Sequence, residues 1–391
     1  MHYLDHNATS PLRPESLSAV THALAVAGNP SSIHANGRVA RAIVEEARER
    51  VAALAGAAAD AVIFTSGATE ANNLALFGAA LGSLEGEDVK NAGRITRIFV
   101  SAIEHSSVLA TAGRLAERFP WIRVSHLPVN ADGVIDLEAL RVALREGKGR
   151  ALVAVMAANN ETGTVQPIAT VSKLVREAGA LLLVDAVPAA GKTAIDFSLC
   201  DYMTLSAHKI GGPQGVGALL VRAGMPLAPQ LVGGGQQKGL RAGTENLSGI
   251  AGFGAAAHAL EDGAGERARI AHLRDHFEAA LKAAAPETVF FGSKVERLCS
   301  TSAFAISHLT AETALIGLDL DGVMMSSGST CSSGKVAVSH VLTAMGVEDK
   351  LAACALRASF GWPSSMEDIT AATLSLLKLR ERVPHLSEVA A

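Results

Sequence analysis

Five short polar segments of the chain carry side chains that could do chemistry, and each directly follows an apolar run. In order, they are residues 66–70, 104–105, 159–161, 185 and 206–209. Short apolar runs of this kind predict strands, and an open α/β sheet binds its ligands beyond the carboxyl ends of its strands. We therefore expect these segments to converge on one site.

The residue types suggest a phosphate, a ring nitrogen and an aldehyde. Residues 66–70 (SGATE) are small and open a predicted helix, whose first N–H groups can hold phosphate. Asp185 ends an apolar strand, where a carboxylate needs a partner such as a pyridinium N–H. Lys209, partly withdrawn from water, can form a Schiff base, and His105 can lie against a flat ring and exchange protons. Together they predict a pyridoxal phosphate site.

Each of these residues has a plainer interpretation when it is taken alone. The SGATE segment could be an ordinary helix N-cap, Asp185 a helix cap in the next loop, Lys209 a surface charge and His105 a core histidine. The segment is neither a Walker A nor a G-x-G-x-x-G loop, and Gly191-Lys192-Thr193 lacks the upstream glycine of a phosphate loop. The combination and its order favour the cofactor site.

The elements that must position these residues follow an alternating pattern. Amphipathic helical stretches, such as 39–54 and 171–178, lie between apolar runs that are not interrupted by polar residues. This alternation predicts an α/β fold with a mostly parallel central sheet and helices on both faces. The predicted strands are 62–65, 98–101, 151–155, 181–184, 203–205 and 218–221.

The pattern changes near Gly233-Gly234-Gly235, after which an Ala-rich helical stretch covers roughly residues 250–285. Weaker alternating segments and a Ser/Gly-rich stretch over 326–334 follow. We expect a large cofactor-binding domain over 16–260. Residues 1–15 with 261–391 would form a smaller α+β domain.

Composition excludes several classes of protein. The 391 residues carry a formal net charge of -4, which argues against a general nucleic-acid surface. Only 4% are aromatic, which argues against single-strand binding by base stacking. The chain start does not resemble a secretory signal, and no apolar run approaches the ~18 residues of a membrane span. We expect a soluble, cytoplasmic protein with no membrane or direct nucleic-acid partner.

The four cysteines are scattered and form no C-x-x-C pair, which disfavours a disulfide framework, a zinc knuckle or any other metal site. Cys200, Cys299 and Cys354 are expected to be small hydrophobic residues of the interior. Cys331 differs because Ser and Gly residues flank it on both sides. That composition predicts a loop rather than a core position.

At this point the chain is seen to resemble the NifS/IscS-like cysteine desulfurases, within the class V aminotransferase-like, fold-type I pyridoxal phosphate enzymes. The resemblance spans almost the whole chain. The matching motifs are YLDHNAT, GNPSSIHANGR, FTSGATEANNLAL, SAIEHSSVL, NNETGTVQPI, LLVDA, LSAHKIGGPQGVGAL, GGGQQKGLRAGTEN, SSGSTCSSG and ALRASFG.

The resemblance implies a role for each matched residue. Lys209 would bind the cofactor covalently, Asp185 would pair with its ring nitrogen, and His105 would stack on the ring and move protons. The implied phosphate contacts are Ala68, Thr69, Ser206 and His208, with Thr244 reaching the site of the neighbouring subunit in a homodimer.

Further implied roles concern the substrate, L-cysteine. Arg357 would bind its carboxylate, because a guanidinium suits a carboxylate, and Asn160 would bond near the ring oxygen or the substrate. Cys331 would accept the sulfur as a persulfide. The sulfur would then pass to an acceptor protein thiol, an iron–sulfur scaffold or a sulfur carrier.

One departure from the family pattern concerns the cofactor. Val187-Pro188 stands where the family usually has a Gln beside the ring oxygen, so that contact is lost or another group supplies it. The alternatives to a cysteine desulfurase are a selenocysteine lyase or a cysteine sulfinate lyase. A non-catalytic scaffold for iron–sulfur assembly is a less favoured third, because Lys209, Asp185, His105, Cys331 and Arg357 are all present.

Overall fold

The structure is a computed structural model that describes residues 1–84, 93–261, 263–327 and 338–382. Its strands are β1 (His2–Tyr3), β2 (Val62–Thr65), β3 (Ile95–Ser101), β4 (Arg123–Leu127), β5 (Arg150–Ala154), β6 (Leu181–Asp185), β7 (Tyr202–Ser206), β8 (Gly217–Val221), β9 (Val289–Phe290), β10 (Thr301–Ala305), β11 (Val323–Met324) and β12 (Ala355–Ser359). Its helices are α1 (Pro14–Leu24), α2 (Ala35–Leu54), α3 (Ala68–Gly82), α4 (Ser106–Arg118), α5 (Leu137–Arg145), α6 (Ile168–Glu177), α7 (Leu247–His258), α8 (Ala264–Ala284), α9 (Ala311–Leu320), α10 (His340–Ala344), α11 (Asp349–Ala352) and α12 (Met366–Glu381).

A seven-stranded sheet in the order β2-β8-β7-β6-β5-β3-β4 forms the centre of the molecule. The strands from β4 to β7 pair in parallel, whereas β8 runs antiparallel to both of its neighbours. The predicted α/β fold with a mostly parallel sheet is therefore confirmed. Both β2 and β7 run antiparallel to β8, so they run in the same direction as each other. Because β7 is parallel to β6, both strands end at the same edge of the sheet as β3, β5 and β6.

Both faces of this sheet are covered, as the apolar strands predict. On one face, Val153 and Leu182 of the sheet belong to a buried cluster that includes Val44 of α2 and Val171 of α6. On the other face, strand and helix side chains form a second cluster, which includes Leu183 of β6 together with residues of α3 and α4. Every residue of β6 is buried, so neither face needs polar alternation.

A second, three-stranded sheet in the order β12-β10-β9 is antiparallel. Its cluster of buried residues draws on α8, α9 and α12 and also takes in Leu4 from the chain start. The strand β1 pairs with β11, which ties the first residues of the chain to this region. The predicted division into residues 16–260 and 1–15 with 261–391 stays a prediction.

Two features differ from the expectation. The helical stretch over 250–285 is two helices, since α7 ends at His258 and α8 starts at Ala264 after Gly263. The strand β4 was not predicted, and its burial explains the omission: only Leu127 is buried, because β4 lies at the sheet edge. In the described part of the chain, no helix is long and apolar enough to cross a membrane.

Candidate active site

A cavity of about 650 Å³ lies at the sheet edge where β2, β3, β5, β6 and β7 end. Most of the residues predicted for the site line it, so the structure brings the strand-end segments together at one edge of the sheet. They are Ala68, Thr69, His105, Asn160, Asp185, Ser206, His208 and Lys209. Arg357 and Thr244 do not line it, and Cys331 lies outside the described residues.

One end of the cavity is formed by the start of α3. The N-cap of this helix is Gly67, which has no side chain to accept from the first N–H groups. The main chains of Gly217 and Gly67 lie so close together here that a side chain on Gly217 would not fit: its Cβ would lie 2.7 Å from the carbonyl carbon of Gly67. Thr69 and Ser206 add hydroxyl groups to the lining. Uncapped helix N–H groups beside hydroxyls are a suitable site for a phosphate.

His208 lies at the same end and is held by the chain start. Its Nδ1 lies 3.2 Å from Thr9 Oγ1. Burial, reinforced by the charges of Lys209 and Lys192, lowers the pKa of His208 to about 4. The ring is therefore neutral at physiological pH and can serve as a hydrogen-bonding group rather than as a cation.

Asp185 is fixed by two donors at the end of β6, where it is buried. Its Oδ2 accepts from Asn72 Nδ2 at 3.0 Å, and its Oδ1 accepts from the Val187 N–H at 3.0 Å. Asn72 Nδ2 also donates to Ser107 Oγ at 3.0 Å. The carboxylate is thus oriented by α3, and can accept a hydrogen bond from a ring N–H in the cavity.

Lys209 lies in the short turn that follows β7 and is drawn towards the chain start. Its Nζ donates to the main-chain oxygen of Asn7 and, at 2.8 Å, to that of Ala8. Burial, and then the charge of Arg357, lowers the pKa of Lys209 to about 8. The amine is therefore unprotonated far more often near neutral pH than that of an ordinary lysine, as a nucleophile or a base requires.

His105 is the N-cap of α4, and its ring is oriented by that helix. Its Nδ1 accepts from the Ser107 N–H at 3.1 Å and lies 2.8 Å from Ser107 Oγ. Because Nδ1 accepts, the proton of the neutral ring is on Nε2. Burial lowers the pKa of His105 and favours this neutral form.

Arg357 lies close to Asn160 but is closed off from the cavity. Its Nη1 donates to the main-chain oxygen of Asn160 at 3.1 Å, and its Nη2 forms a 2.7 Å ion pair with Asp5 Oδ1. The guanidinium is buried. The arginine that was predicted to bind the substrate is thus near the site, but the Asp5 carboxylate of the same chain occupies one of its N–H groups.

Thr244 lines a separate cavity of about 180 Å³ that also touches Ser66 and Gly215. Its loop is tied to the start of α3, because Arg241 Nε donates to Glu70 Oε1 at 2.8 Å. Thr244 therefore lies behind the predicted phosphate end of its own chain and not within the main cavity.

Three residues that the sequence analysis did not assign to the site belong to its structure: Asn7, Asn72 and Lys192. Lys192 lines the cavity, and its Nζ donates to Asn7 Oδ1 at 3.0 Å. A signal was present for the two asparagines, since they lie in the YLDHNAT and FTSGATEANNLAL motifs. Lys192 was considered only as part of a phosphate loop. Val187 and Pro188 also line the cavity, where proline offers no side-chain donor.

This donor set fits an aldehyde cofactor that carries a phosphate and a ring nitrogen. The uncapped start of α3 suits the phosphate, the doubly held Asp185 carboxylate suits the ring N–H, and the Lys209 amine suits the aldehyde. Asn72 Oδ1 is buried without a hydrogen-bond partner among the described residues. A polar atom left in this state beside the cavity is compatible with a site that holds a ligand.

Comparisons with known proteins agree with this geometry. The aminotransferase class-V family model matches residues 2–371. A cysteine desulfurase of Cereibacter sphaeroides is 41% identical over 370 residues, which cover 93% of this chain and 92% of that protein. The cysteine desulfurase IscS of Dictyoglomus turgidum is 38% identical and covers 99% and 97%.

Solved structures give the same result. A NifS-like protein from Rickettsia africae superimposes with a TM-score of 0.85 at 32% identity, covering 97% of this chain and 99% of that one. SspA, solved in complex with cysteine, gives a TM-score of 0.80 at 29% identity over 93% of this chain and 100% of its own. The chain therefore belongs to the class-V aminotransferase family and, within it, to the NifS/IscS-like cysteine desulfurases.

Proposed function

We propose that this protein uses pyridoxal phosphate to convert L-cysteine to L-alanine and keeps the sulfur as a persulfide on Cys331. The observation that carries the proposal is the placement of Lys209 and Asp185 on the ends of adjacent strands in one cavity. A relative of known structure, SspA, was solved with cysteine, which supports cysteine as the substrate.

The cofactor, when bound, supplies an aldehyde and an electron sink for the carbanion next to the substrate carboxylate. Residues of the chain would hold the cofactor in the cavity. Asp185 would accept from the ring nitrogen, and the phosphate would lie at the start of α3 with Thr69, Ser206 and His208. Asn160 would bond near the ring oxygen or the substrate. His105, whose ring is held by Ser107, would lie against the flat ring.

Proton movement falls to two groups of the chain. Lys209, with a pKa of about 8, can take the substrate α-proton when its amine is free. His105 carries its proton on Nε2, because Nδ1 accepts from the Ser107 N–H. Arg357 would bind the substrate carboxylate once its ion pair with Asp5 is broken.

Sulfur transfer requires the thiolate of Cys331. It attacks the substrate sulfur, so that an S–S bond forms and the C–S bond breaks, and the electron pair of that bond ends on the alanine carbon, which is protonated. L-cysteine and the enzyme thiol thus give L-alanine and an enzyme persulfide, with all atoms conserved. The outer sulfur then passes to the thiol of an acceptor protein for iron–sulfur cluster, tRNA or thio-cofactor synthesis.

The proposal includes a homodimer. Thr244 lies outside the cavity of its own chain, and its loop is fixed to α3 by the Arg241–Glu70 ion pair. This placement supports the expectation that Thr244 reaches the phosphate of the neighbouring subunit. Light scattering of the purified protein measures the mass, and a monomeric holoenzyme would refute this part.

The test is Cys331→Ala in the purified holoenzyme, with alanine and sulfide measured. We expect the variant to retain the cofactor absorbance and to lose sulfide production from cysteine. Undiminished turnover of cysteine would refute the role of Cys331. Turnover of selenocysteine or cysteine sulfinate by the variant would identify a lyase instead, and purified protein without cofactor would favour a non-catalytic scaffold.

A further inference from the structure

A continuous line of hydrogen bonds joins Asp185 to His105 through two other side chains. Asn72 Nδ2 donates both to Asp185 Oδ2 and to Ser107 Oγ, at 3.0 Å in each case. Ser107 Oγ in turn lies 2.8 Å from His105 Nδ1. Asn72, Ser107 and Asp185 are buried. The carboxylate and the imidazole that the proposed function places at the cofactor ring are therefore connected within the protein.

The direction of each hydrogen bond in this line follows from what each atom can give or accept. An amide Nδ2 carries two protons, so Asn72 supplies one to Asp185 and one to Ser107 Oγ. Turning the amide round would set its oxygen against the Asp185 carboxylate, where two acceptors repel each other. Ser107 Oγ therefore accepts from Asn72, and its single proton is left for His105 Nδ1.

His105 Nδ1 thus faces two donors of the same residue, the Ser107 N–H at 3.1 Å and the Ser107 hydroxyl. A protonated Nδ1 could accept from neither of them, so both hydrogen bonds favour the neutral ring with its proton on Nε2. The main-chain N–H would remain with almost any residue at this position, whereas the hydroxyl belongs to the side chain of Ser107.

Charged and titratable groups of three other elements also act on this ring. Burial lowers the pKa of His105, the charge of Asp185 raises it, and the charges of Lys209 and His340 lower it. Asp185 has the largest effect among these charges and favours the imidazolium. The Ser107 hydroxyl acts in the opposite direction, because only the neutral ring can accept from it.

We propose that Ser107 is a positioning residue, whose hydroxyl keeps His105 Nδ1 closed to protons and leaves Nε2 as the nitrogen through which the ring exchanges them. This inference rests on the proposed function in that His105 moves protons at the cofactor. The neutral ring is then a proton donor at Nε2, which suits it to return a proton after Lys209 has removed one. Asn72 orients the Ser107 hydroxyl as well as the Asp185 carboxylate, so one amide would align both groups that hold the cofactor ring.

The test is a pH titration of the holoenzyme with isotope-labelled histidine rings, followed by NMR. The His105 signal is the one that His105→Gln removes. We expect Ser107→Ala to raise the titration midpoint of His105 by about 0.7 pH unit, because the neutral ring loses one hydrogen bond. Ser107→Thr keeps a hydroxyl and should keep the wild-type midpoint. Ser106→Ala, at the exposed neighbouring position of α4, is the matched control and should also leave the midpoint unchanged.

Three results would overturn the inference: an unchanged midpoint in Ser107→Ala, an equal shift in Ser107→Thr, or a proton on Nδ1 of the neutral wild-type ring. If Ser107→Ala does not fold, Ser107→Cys takes its place, because a thiol is a weaker donor and the midpoint should still rise. Failure of the proposed function would look different. A wild-type protein that binds no cofactor, or leaves cysteine unconverted, would refute the reaction whether or not the His105 signal shifts.

Discussion

Arg357 and Asp5 form a 2.7 Å ion pair that joins β12 to the first residues of the chain. Arg357 also donates to the main-chain oxygen of Asn160, and its Nε has no hydrogen-bond partner among the described residues. A guanidinium binds a carboxylate best with two parallel N–H groups. If Arg357 binds the substrate, the substrate carboxylate must therefore compete with Asp5.

This competition predicts the effect of Asp5→Asn. The amide keeps the shape of the side chain but removes the competing charge. We therefore expect the KM for cysteine to fall about fivefold, which corresponds to roughly 1 kcal/mol, with little change in kcat. Steady-state alanine formation measures both constants. Asp321→Asn, which loses a surface pair with Lys378, is the control. A higher KM in Asp5→Asn would mean that Asp5 orients Arg357 productively.

A second prediction concerns Asn72, which holds Asp185. Asn72→Ala removes the 3.0 Å hydrogen bond to the carboxylate, and a bond to a charged group contributes about 1.5–3 kcal/mol. We expect cofactor affinity to fall at least about tenfold, measured by equilibrium titration of the cofactor-free protein. Asn73→Ala is the control, because Asn73 donates only to its own helix at Thr69. Equal affinities in the two variants would contradict the role of Asn72.

Glu104 leads to a prediction about stability and pH. It is buried beside the charge of Asp185, and burial, followed by that charge, raises the pKa of Glu104 well above 4.5. Its Oε1 accepts from the Met156 N–H at 2.6 Å, and its Oε2 has no partner among the described residues. The folded protein therefore holds this proton more tightly than the unfolded chain does.

The sign of the effect follows. A raised pKa in the folded state contributes stability that is complete below pH 4.5 and is lost as pH rises through the folded value. Glu104→Gln does not ionise, so its free energy of unfolding relative to wild type should increase from about pH 5 to about pH 8. Urea unfolding at both pH values measures this, with the exposed Glu117→Gln as control. A pH-independent difference would show that Glu104 is charged in the folded protein.

Arg241 gives a fourth prediction, about the loop that carries Thr244. Its ion pair with Glu70 is half-buried, and Glu70 also accepts from the Ser66 N–H at 2.8 Å beside the start of α3. Arg241→Met should release the loop and speed cofactor dissociation by about fivefold. This factor corresponds to the roughly 1 kcal/mol that such an ion pair contributes. Absorbance during dilution measures the rate. Arg141→Met, which loses only a surface pair, is the control, and an equal rate in both variants would exclude a positioning role for Arg241.

The strand ends were predictable because their signal is local. An apolar run with a polar residue after it is read directly from the chain, as in β6 with Asp185 and β7 with Lys209. Parallel pairing then brings those ends to one edge, whatever the helices between them do. Motif matches added the family, and the comparisons confirm it. Cys331 was singled out by its flanking residues, and its position lies outside the described part of the chain.

Two features of the fold could not be predicted from the pattern of apolar residues. The edge strand β4 exposes most of its residues and so lacks an apolar run. The break between α7 and α8 falls in an Ala-rich stretch, where small residues on every side blur the helical period. Of the three cysteines expected inside, Cys200 and Cys354 are buried, whereas Cys299 is only half-buried.

The sequence by itself determined the fold class, the strand-end residues and the family of this protein. Only the tertiary structure decided which polar groups hold the predicted residues in place. Asn7 meets Lys192 across 185 residues of chain, and Asp5 meets Arg357 across 352. No spacing rule reaches so far, because such contacts depend on how the first residues pack against both sheets. The charge environment of Lys209 and the partner of Arg357 are therefore properties of the folded molecule.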